Sequence, residues 1–318
     1  MATYRLNNGF HFEDGNLFCE DIKVSSESIF IDLHVKSPFF VFSEAQILHN
    51  VKQYKDVLDQ LNLKYILNYS MKANANPHIM RIFKESGLSL TLVSGMELRF
   101  ALECGFNPKT LVFNGNGKLD EEIALALKHD VLLNIDSLFN MKQTLRICRK
   151  TGHKARLLLR INPGINPDVH RYVSTGQEGS KFGLFSEELQ EVIEAASDSK
   201  EVEVVGLHCH LGSTIKKTEI IRNSVRVLKH IWKEMKEKGF CSLQYLNIGG
   251  GLGIDYHKLV HFECRLQQNQ EEELAEIKDG LSHGKVQVPS ARDLVESVVD
   301  LLEEDMTLVL EPGRSLIA

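Results

Sequence analysis

The residues best suited to chemistry in this sequence are a lysine, a glycine run, a glutamate beside an arginine and a pair of histidines. Lys72 directly follows a short apolar stretch at residues 65–69. A lysine in this position is either a solvated surface charge or an amine that attacks a carbonyl carbon and forms a Schiff base. Because most lysines are exposed, Lys72 alone leaves both interpretations open.

Three consecutive glycines, Gly249, Gly250 and Gly251, follow another apolar stretch at residues 246–248. Glycine has no Cβ and tolerates unusual φ angles, so backbone N–H groups in such a run can approach an anion closely. The run could instead serve only a tight turn between a strand and a helix. Barrels often bind phosphate between their late strands, and this favours the phosphate interpretation.

Glu311 and Arg314 flank Pro312-Gly313 after the apolar residues 308–310. A carboxylate here could accept a hydrogen bond from a protonated ring nitrogen, and the arginine could bind a phosphate or a carboxylate through two parallel hydrogen bonds. The alternative is a surface turn that is closed by a salt bridge.

His208 and His210 lie two residues apart, on the same face of a strand end. This spacing resembles a pair of metal ligands. The sequence offers no third ligand at a recognisable spacing, so we predict no metal site. An imidazole stacked on a flat cofactor fits one of the two histidines better.

These segments need elements that bring them to one face of the fold. Short apolar runs alternate with longer amphipathic ones, which is typical of βα units and a parallel sheet. The predicted strands cover residues 65–69, 89–93, 110–113, 131–135, 156–161, 204–208, 244–248 and 307–310. Eight parallel strands predict a closed TIM-type (β/α)8 barrel, whose chemistry lies at the carboxyl ends of its strands.

Helices are predicted between these strands, at residues 97–103, 120–128, 186–196 and 218–238, where apolar residues recur at three- and four-residue steps. A strand-like run at residues 38–42 precedes a further helix. The capping pair Ser43 and Gln46 marks the start of that helix. Its buried face is predicted to contain Ile47, Val51, Tyr54 and Leu58.

Two regions depart from the barrel pattern. Residues 1–37 contain the turn signal Asp14-Gly15 between half-buried strands, and we interpret them as the N-terminal strands of a second β domain that is largely missing from the sequence. Residues 38–318 then form the barrel. Within it, residues 257–287 are rich in Glu, Gln, Lys and His, which indicates a polar insertion that is either a functional lid or a plain surface excursion.

Composition limits the possible partners and locations. The chain has 318 residues, of which 43% are hydrophobic and 25% charged, with a net charge of -6 and no basic stripe. This argues against nucleic-acid binding. No apolar run approaches the ~20 residues of a membrane-spanning helix, and we expect a cytoplasmic protein, or a plastid one after removal of a transit peptide. The 6 cysteines have no repeated spacing, which is typical of reduced thiols.

Taken together, the motifs resemble those of the pyridoxal-phosphate-dependent decarboxylases with an alanine-racemase-like barrel, and within them the diaminopimelate decarboxylases. The matching segments are residues 69–74, 93–98, 134–138, 160–163, 170–176, 180–183, 208–213, 249–253 and 311–314. The stretch at residues 170–183 favours this branch over the ornithine decarboxylases. Relatives commonly have an aspartate where this sequence has Thr91.

The resemblance implies a role for each candidate residue. Lys72 would hold pyridoxal 5′-phosphate as a Schiff base, and His210 would stack on the pyridine ring. Glu311 would keep the ring nitrogen protonated, so that the ring accepts the electrons that decarboxylation leaves on Cα. Arg314 could also reach the substrate carboxylate. The phosphate would be held by Ser213, Gly249, Gly250, Gly251, Gly313 and Arg314.

The implied reaction is the decarboxylation of meso-diaminopimelate to L-lysine, in an enzyme that is a homodimer at full length. Relatives carry a C-terminal β domain with a cysteine proton donor, and none of the 6 cysteines here lies in such a segment. We therefore expect this chain to decarboxylate poorly by itself. Two alternatives stay open: decarboxylation of another basic or diamino acid such as ornithine, and a non-catalytic or regulatory protein that binds the cofactor.

Overall fold

The computed structural model describes residues 3–5, 7–24, 38–165, 182–254 and 288–318. The sequence segment at residues 170–181 and the predicted insertion at residues 257–287 lie outside these residues. In the described residues, the chain forms a four-stranded antiparallel sheet followed by a closed barrel of eight parallel strands. The predicted TIM-type barrel with a preceding β segment is therefore confirmed.

The N-terminal sheet is built from four short strands in sequence order: β1 (Thr3–Arg5), β2 (Phe10–Glu13), β3 (Asn16–Cys19) and β4 (Ile22–Lys23). Asp14 and Gly15 connect β2 to β3 with φ angles of 47° and 78°. Positive φ at both central residues is the geometry of a two-residue hairpin turn, and it explains why this Asp-Gly pair predicted a hairpin.

The barrel strands are β5 (Tyr65–Ser70), β6 (Ser89–Leu92), β7 (Val112–Phe113), β8 (Leu132–Ile135), β9 (Ala155–Arg160), β10 (Val202–His208), β11 (Tyr245–Asn247) and β12 (Thr307–Leu310). They pair in sequence order, and β12 closes the barrel against β5. Every residue of β6, β8 and β12 is buried, as expected for parallel strands that are covered on both faces.

Helices cover the outside of the barrel. They are α1 (Glu44–Gln60), α2 (Pro77–Glu85), α3 (Gly95–Glu103), α4 (Asp120–Lys128), α5 (Leu138–Thr151), α6 (Ser186–Ser197), α7 (Thr218–Glu237), α8 (Ala291–Glu296) and α9 (Arg314–Ile317). The apolar stripe of α7 ends in the fully buried Trp232 and Met235. In α1 the predicted residues Ile47, Val51, Tyr54 and Leu58 are all buried.

The start of α1 differs from a full capping box. Ser43 accepts a hydrogen bond from the N–H of Gln46, as predicted, over 3.1 Å. The Gln46 side chain, however, accepts from the N–H of Asn8 over 3.0 Å, and so binds the N-terminal sheet instead of the helix start. The predicted strand at residues 38–42 is wrong, since these residues have no regular structure and Phe40 is 92% exposed.

The inside of the barrel has two layers. An apolar cluster of Val112, Leu132, Leu158 and Val205 fills the lower part. Side chains alternate along a strand, so the residue two positions further on points into the same interior. At those positions β8 and β9 carry Asn134 and Arg160, and the residue after β7 is Asn114. The upper layer is therefore polar, at the carboxyl ends of the strands.

Candidate active site

Two adjoining cavities open at the carboxyl ends of the barrel strands. One has a volume of about 540 Å³ and the other of about 350 Å³. They share five lining residues: Ser70, Lys72, His210, Ser213 and Glu311. All of these except Ser70 were predicted as site residues from the sequence. The motifs that contain them lie far apart, since Lys72 and Glu311 are separated by 239 positions.

Lys72 lies on a single 3-10 turn, Met71–Ala73, which directly follows β5. Its side chain is exposed and lines both cavities. The end of β5 is fixed to the turn after β12, because the Ser70 N–H donates to the Pro312 carbonyl over 2.9 Å and the Ser70 hydroxyl donates to the Glu311 carbonyl over 2.8 Å. Because Ser70 precedes the turn of Lys72, these two bonds keep Lys72 and Glu311 together at the carboxyl end of the barrel.

Glu311 is a buried carboxylate that is surrounded by donors. Asn247 donates to its Oε1 over 2.7 Å, and Asn114 lies 3.2 and 3.1 Å from its two oxygens. Burial raises the pKa of Glu311, but the facing His208 and the hydrogen bond from Asn247 outweigh burial and hold the pKa of the carboxyl below its usual range. The side chain is therefore ionised at neutral pH, which a partner for a cationic ring nitrogen requires.

His210 lines both cavities, as a stacking residue must. It is half-buried, and its Nδ1 accepts a hydrogen bond from the N–H of Gly250 over 3.3 Å. Burial, together with the positive charges of Arg160 and Lys72, lowers the pKa of His210 to about 3. The imidazole is thus neutral at physiological pH.

The glycine run after β11 is required by the fold itself. A Cβ on Gly250 would lie 2.1 Å from the Glu311 carbonyl oxygen, and one on Gly251 would lie 1.8 Å from the Gly212 carbonyl oxygen. The N–H of Gly249 already donates to Asn247, and that of Gly250 to His210. Of the three glycines, Gly251 lines the smaller cavity, and Gly249 and Gly250 are not among its lining residues.

The remaining predicted phosphate ligands lie together at the smaller cavity. Ser213, Gly251, Gly313 and Arg314 all line it. Gly313 packs tightly against the lysine turn, because a Cβ there would lie 3.2 Å from the Cβ of Ser70 and 3.3 Å from that of Ala73. The cavity thus combines an exposed guanidinium, a hydroxyl and close backbone, which suits a phosphate group.

Several polar residues of the site were not predicted from the sequence. Asn114, Asn134 and Asn247 each stand at the end of a buried strand, point into the barrel and bind Glu311 or His208. Arg160 lines the larger cavity with its guanidinium 4.9 Å above the ring of Phe182. The sequence offered one signal for these three asparagines and Arg160, since each is a polar residue at the end of an apolar run.

Unpaired polar atoms show that the larger cavity suits a polar ligand. Thr91 Oγ1 and Asn114 Oδ1 are buried and have no hydrogen-bond partner among the described residues, and both residues line this cavity. Buried polar groups are normally paired. A flat, phosphorylated aromatic aldehyde fits the complete arrangement, with an amine, a carboxylate and an anion site in the two joined cavities.

Comparisons with known proteins agree with this chemistry. Residues 44–318 match the family model of the pyridoxal binding domain of pyridoxal-dependent decarboxylases. A probable chloroplastic diaminopimelate decarboxylase of Oryza sativa is 40% identical over 307 residues, which cover 96% of this chain and 56% of the rice protein.

Solved structures give the same result. Diaminopimelate decarboxylase of Methanocaldococcus jannaschii is 30% identical, with a TM-score of 0.80 over 98% of this chain and 68% of that chain. The Helicobacter pylori enzyme in complex with L-lysine is 29% identical, with a TM-score of 0.77 over 91% of this chain and 66% of that chain. This chain therefore spans between about half and two thirds of the length of these relatives. In the described part of the chain, no helix combines the length and apolarity needed to cross a membrane.

Proposed function

Because the chain belongs to the family of pyridoxal-dependent decarboxylases, we propose that it provides the cofactor site for the decarboxylation of meso-diaminopimelate to L-lysine. The observation that carries the proposal is the meeting of Lys72 with the ionised, buried Glu311 in one cavity. The choice of substrate is supported by the relatives, which are named diaminopimelate decarboxylases at 29–40% identity.

When bound, pyridoxal phosphate supplies the electron sink for the pair of electrons that departing carbon dioxide leaves behind. We assign to Lys72 the amine to which the cofactor is attached. Glu311 holds a proton at the ring nitrogen, because its low pKa keeps the carboxylate charged at neutral pH. His210 contributes a neutral, flat ring at the same cavity. Ser213, Gly251, Gly313 and Arg314, which line the smaller cavity, bind the phosphate.

The surroundings of Glu311 support this role. A charged carboxylate in the barrel interior is costly to bury unless it is paired, and here Asn114 and Asn247 supply the hydrogen bonds. Fixed donors hold the charge in place without rearrangement when a positive ring nitrogen approaches. Arg314, at the edge of the smaller cavity, is placed to bind an anionic group of the cofactor or of the substrate.

We further propose a division into an N-terminal β segment, residues 1–37, and the cofactor-binding barrel, residues 38–318. We also propose that the full-length protein is a homodimer and that it is located in the cytoplasm or in a plastid. The plastid is supported by the rice relative, which is described as chloroplastic.

The test is the release of carbon dioxide by this chain in the presence of pyridoxal phosphate, with carboxyl-labelled meso-diaminopimelate or L-ornithine as substrate. We expect release from meso-diaminopimelate to exceed release from ornithine at least about tenfold, the discrimination given by roughly one lost charge-assisted hydrogen bond. Faster release from ornithine would contradict the substrate assignment. Release from neither substrate, with the cofactor attached to Lys72, would show that this chain by itself supplies only the cofactor site.

A further inference from the structure

We propose that His208 is a positioning residue for Glu311: its ring, oriented by Asn134, directs an Nε2–H donor at the carboxylate. This role rests on the proposed function, in which Glu311 is the partner of the cofactor's ring nitrogen. In the sequence, His208 is marked only as one of two histidines at a strand end. Three observations about the barrel interior support its positioning role.

The first observation is the contact that fixes the ring. His208 is 0% exposed, and its Nδ1 lies 2.8 Å from the Nδ2 of Asn134. An amide nitrogen only donates, so Nδ1 must accept. A neutral imidazole has a single N–H, which must then be on Nε2. The tautomer of His208 is therefore set by the side chain of Asn134.

The second observation is what Nε2 faces. It lies 3.5 Å from Glu311 Oε2 and has no hydrogen-bond partner among the described residues. If the amide of Asn134 were reversed, Nδ1 would carry the proton and the lone pair of Nε2 would face a carboxylate. Two buried acceptors facing each other are unfavourable, so the geometry selects the Nε2–H form. Hydrogen bonds in ligand-free sites are often long and shorten when the ligand binds.

The third observation is that the ring stays neutral. Burial is the largest effect and lowers the pKa of His208, and the positive charges of Arg160 and Lys72 lower it further. The negative charge of Glu311 acts in the opposite direction and raises the pKa of His208, but burial outweighs it. A neutral donor orients the carboxylate without cancelling its charge. The full negative charge is therefore retained for a ring nitrogen.

The carboxylate of Glu311 also needs a donor at this position. Asn247 donates to Oε1, and the single amide nitrogen of Asn114 is shared between both oxygens. Of the roughly four lone pairs of a carboxylate, about two therefore remain, one for His208 and one for the cofactor's ring nitrogen. The backbone of Asn134 is itself held in place, because the Lys118 ammonium donates to its main-chain carbonyl over 2.7 Å. The chain of contacts from Lys118 through Asn134 and His208 thus reaches Glu311.

The first test reads the tautomer directly in the unaltered, cofactor-free chain, by two-dimensional NMR of the 15N-labelled histidine rings, with His208 assigned by its loss in His208→Gln. We expect a neutral ring that is protonated on Nε2, with an Nε2 resonance that shifts in Glu311→Gln. A ring protonated on Nδ1, or an Nε2 resonance that Glu311→Gln does not move, overturns the proposal. Because no cofactor is present, this result is independent of the proposed function.

The second test measures the dissociation constant of pyridoxal phosphate. In His208→Phe, which keeps a ring but has no donor, we expect roughly tenfold weaker binding, the value of one hydrogen bond to a charged group. In His208→Gln, whose amide can still donate, we expect binding within about threefold of the unaltered chain, by the same reasoning. The control is His153→Gln, an exposed residue that precedes β9 at the opposite end of the barrel.

Equal binding by His208→Phe and the unaltered chain contradicts a positioning role. Equal weakening in both His208 variants also contradicts it, because a purely structural role predicts no rescue by glutamine. If the unaltered chain does not bind pyridoxal phosphate, the proposed function fails, and the NMR result still decides whether His208 donates to Glu311. If His208→Phe does not fold, the comparison of His208→Gln with the unaltered chain and the tautomer measurement decide the matter.

Discussion

At the scale of single residues, the half-buried His210 gives the site a defined response to acid. Its pKa is lowered from 6.5 to about 3, mainly by burial and then by Arg160 and Lys72. Between these two pH values the unfolded chain takes up a proton at this position, whereas the folded chain does not. Stability must therefore fall as the pH falls through this window.

We predict that the free energy of unfolding decreases by about 1–2 kcal/mol between pH 7 and pH 5 because of His210 alone, after allowing for its partial exposure. The change His210→Gln removes the titrating group and should flatten the pH dependence by that amount. Denaturant unfolding at the two pH values measures it. His153→Gln serves as the control and should keep the full dependence; an unchanged slope in His210→Gln would show that the histidine is not held neutral.

At the scale of elements, the turn after β11 and the turn after β12 are in direct backbone contact. The N–H of Glu311 donates to the carbonyl of Gly249 over 2.8 Å, and a Cβ on Gly250 would lie 2.1 Å from the carbonyl oxygen of Glu311. Backbone cannot move aside as a flexible side chain can. The glycine at position 250 therefore keeps the carboxylate of Glu311 at its place in the barrel.

We predict that Gly250→Ala lowers the free energy of unfolding by about 3 kcal/mol or more, which is the upper range for overpacking, and also weakens cofactor binding. Gly117→Ala is a matched control, because Gly117 lines the larger cavity and a Cβ there would meet nothing within 4 Å. Denaturant unfolding of both variants decides the point. Similar stability of the two variants would mean that the two turns are not packed as described.

At the scale of the whole molecule, one side of the barrel mouth carries an apolar rim, which we define as Val93, Met96, Leu119, Phe139 and Phe185. These residues follow the ends of β6, β7, β8 and β9, which are neighbours in the barrel. The exposed fractions of Met96, Leu119 and Phe139 are 74%, 55% and 76%. Exposed apolar side chains of this size on one side of the barrel mouth favour association with another protein surface.

We predict that the chain self-associates in a concentration-dependent manner through this rim. The double change Met96→Ser with Phe139→Ser should weaken association at least about tenfold, which corresponds to the loss of one well-packed contact. Phe40→Ser is the control, since Phe40 is 92% exposed but lies outside the rim. Sedimentation velocity over a range of concentrations measures the effect, and equal weakening by the control would rule out a specific role of the rim.

The barrel was predictable from the sequence because each strand is a short apolar run followed by a polar or glycine-rich end. The strand at residues 307–310 and the helix at residues 120–128 agree with the structure at both ends. The run at residues 38–42 has the same apolar character but forms no strand. Composition alone cannot show whether an apolar run finds a hydrogen-bonded neighbour, since pairing depends on the rest of the fold.

Motifs assigned roles to Lys72, Glu311, Arg314 and the glycines of the site, but not to Arg160 or the asparagines that support Glu311 and His208. Asn114 and Asn247 lie in no motif, and Asn134 begins a matching segment that assigns it no role; the function of all three depends on contacts between different strands. Such contacts are a property of the closed barrel, in which residues 74 and 197 positions apart meet. The sequence could indicate these residues only as polar ends of buried strands.

The central claim is that Lys72 carries the cofactor in this site. The most direct measurement is borohydride reduction of the chain after incubation with pyridoxal phosphate, followed by mass mapping of the modified peptides, with Lys72→Ala and the exposed Lys52→Ala as variants. We predict one adduct per chain on Lys72, lost in Lys72→Ala and kept in Lys52→Ala. Adducts spread over surface lysines, or a stoichiometric adduct that persists in Lys72→Ala, would contradict the account.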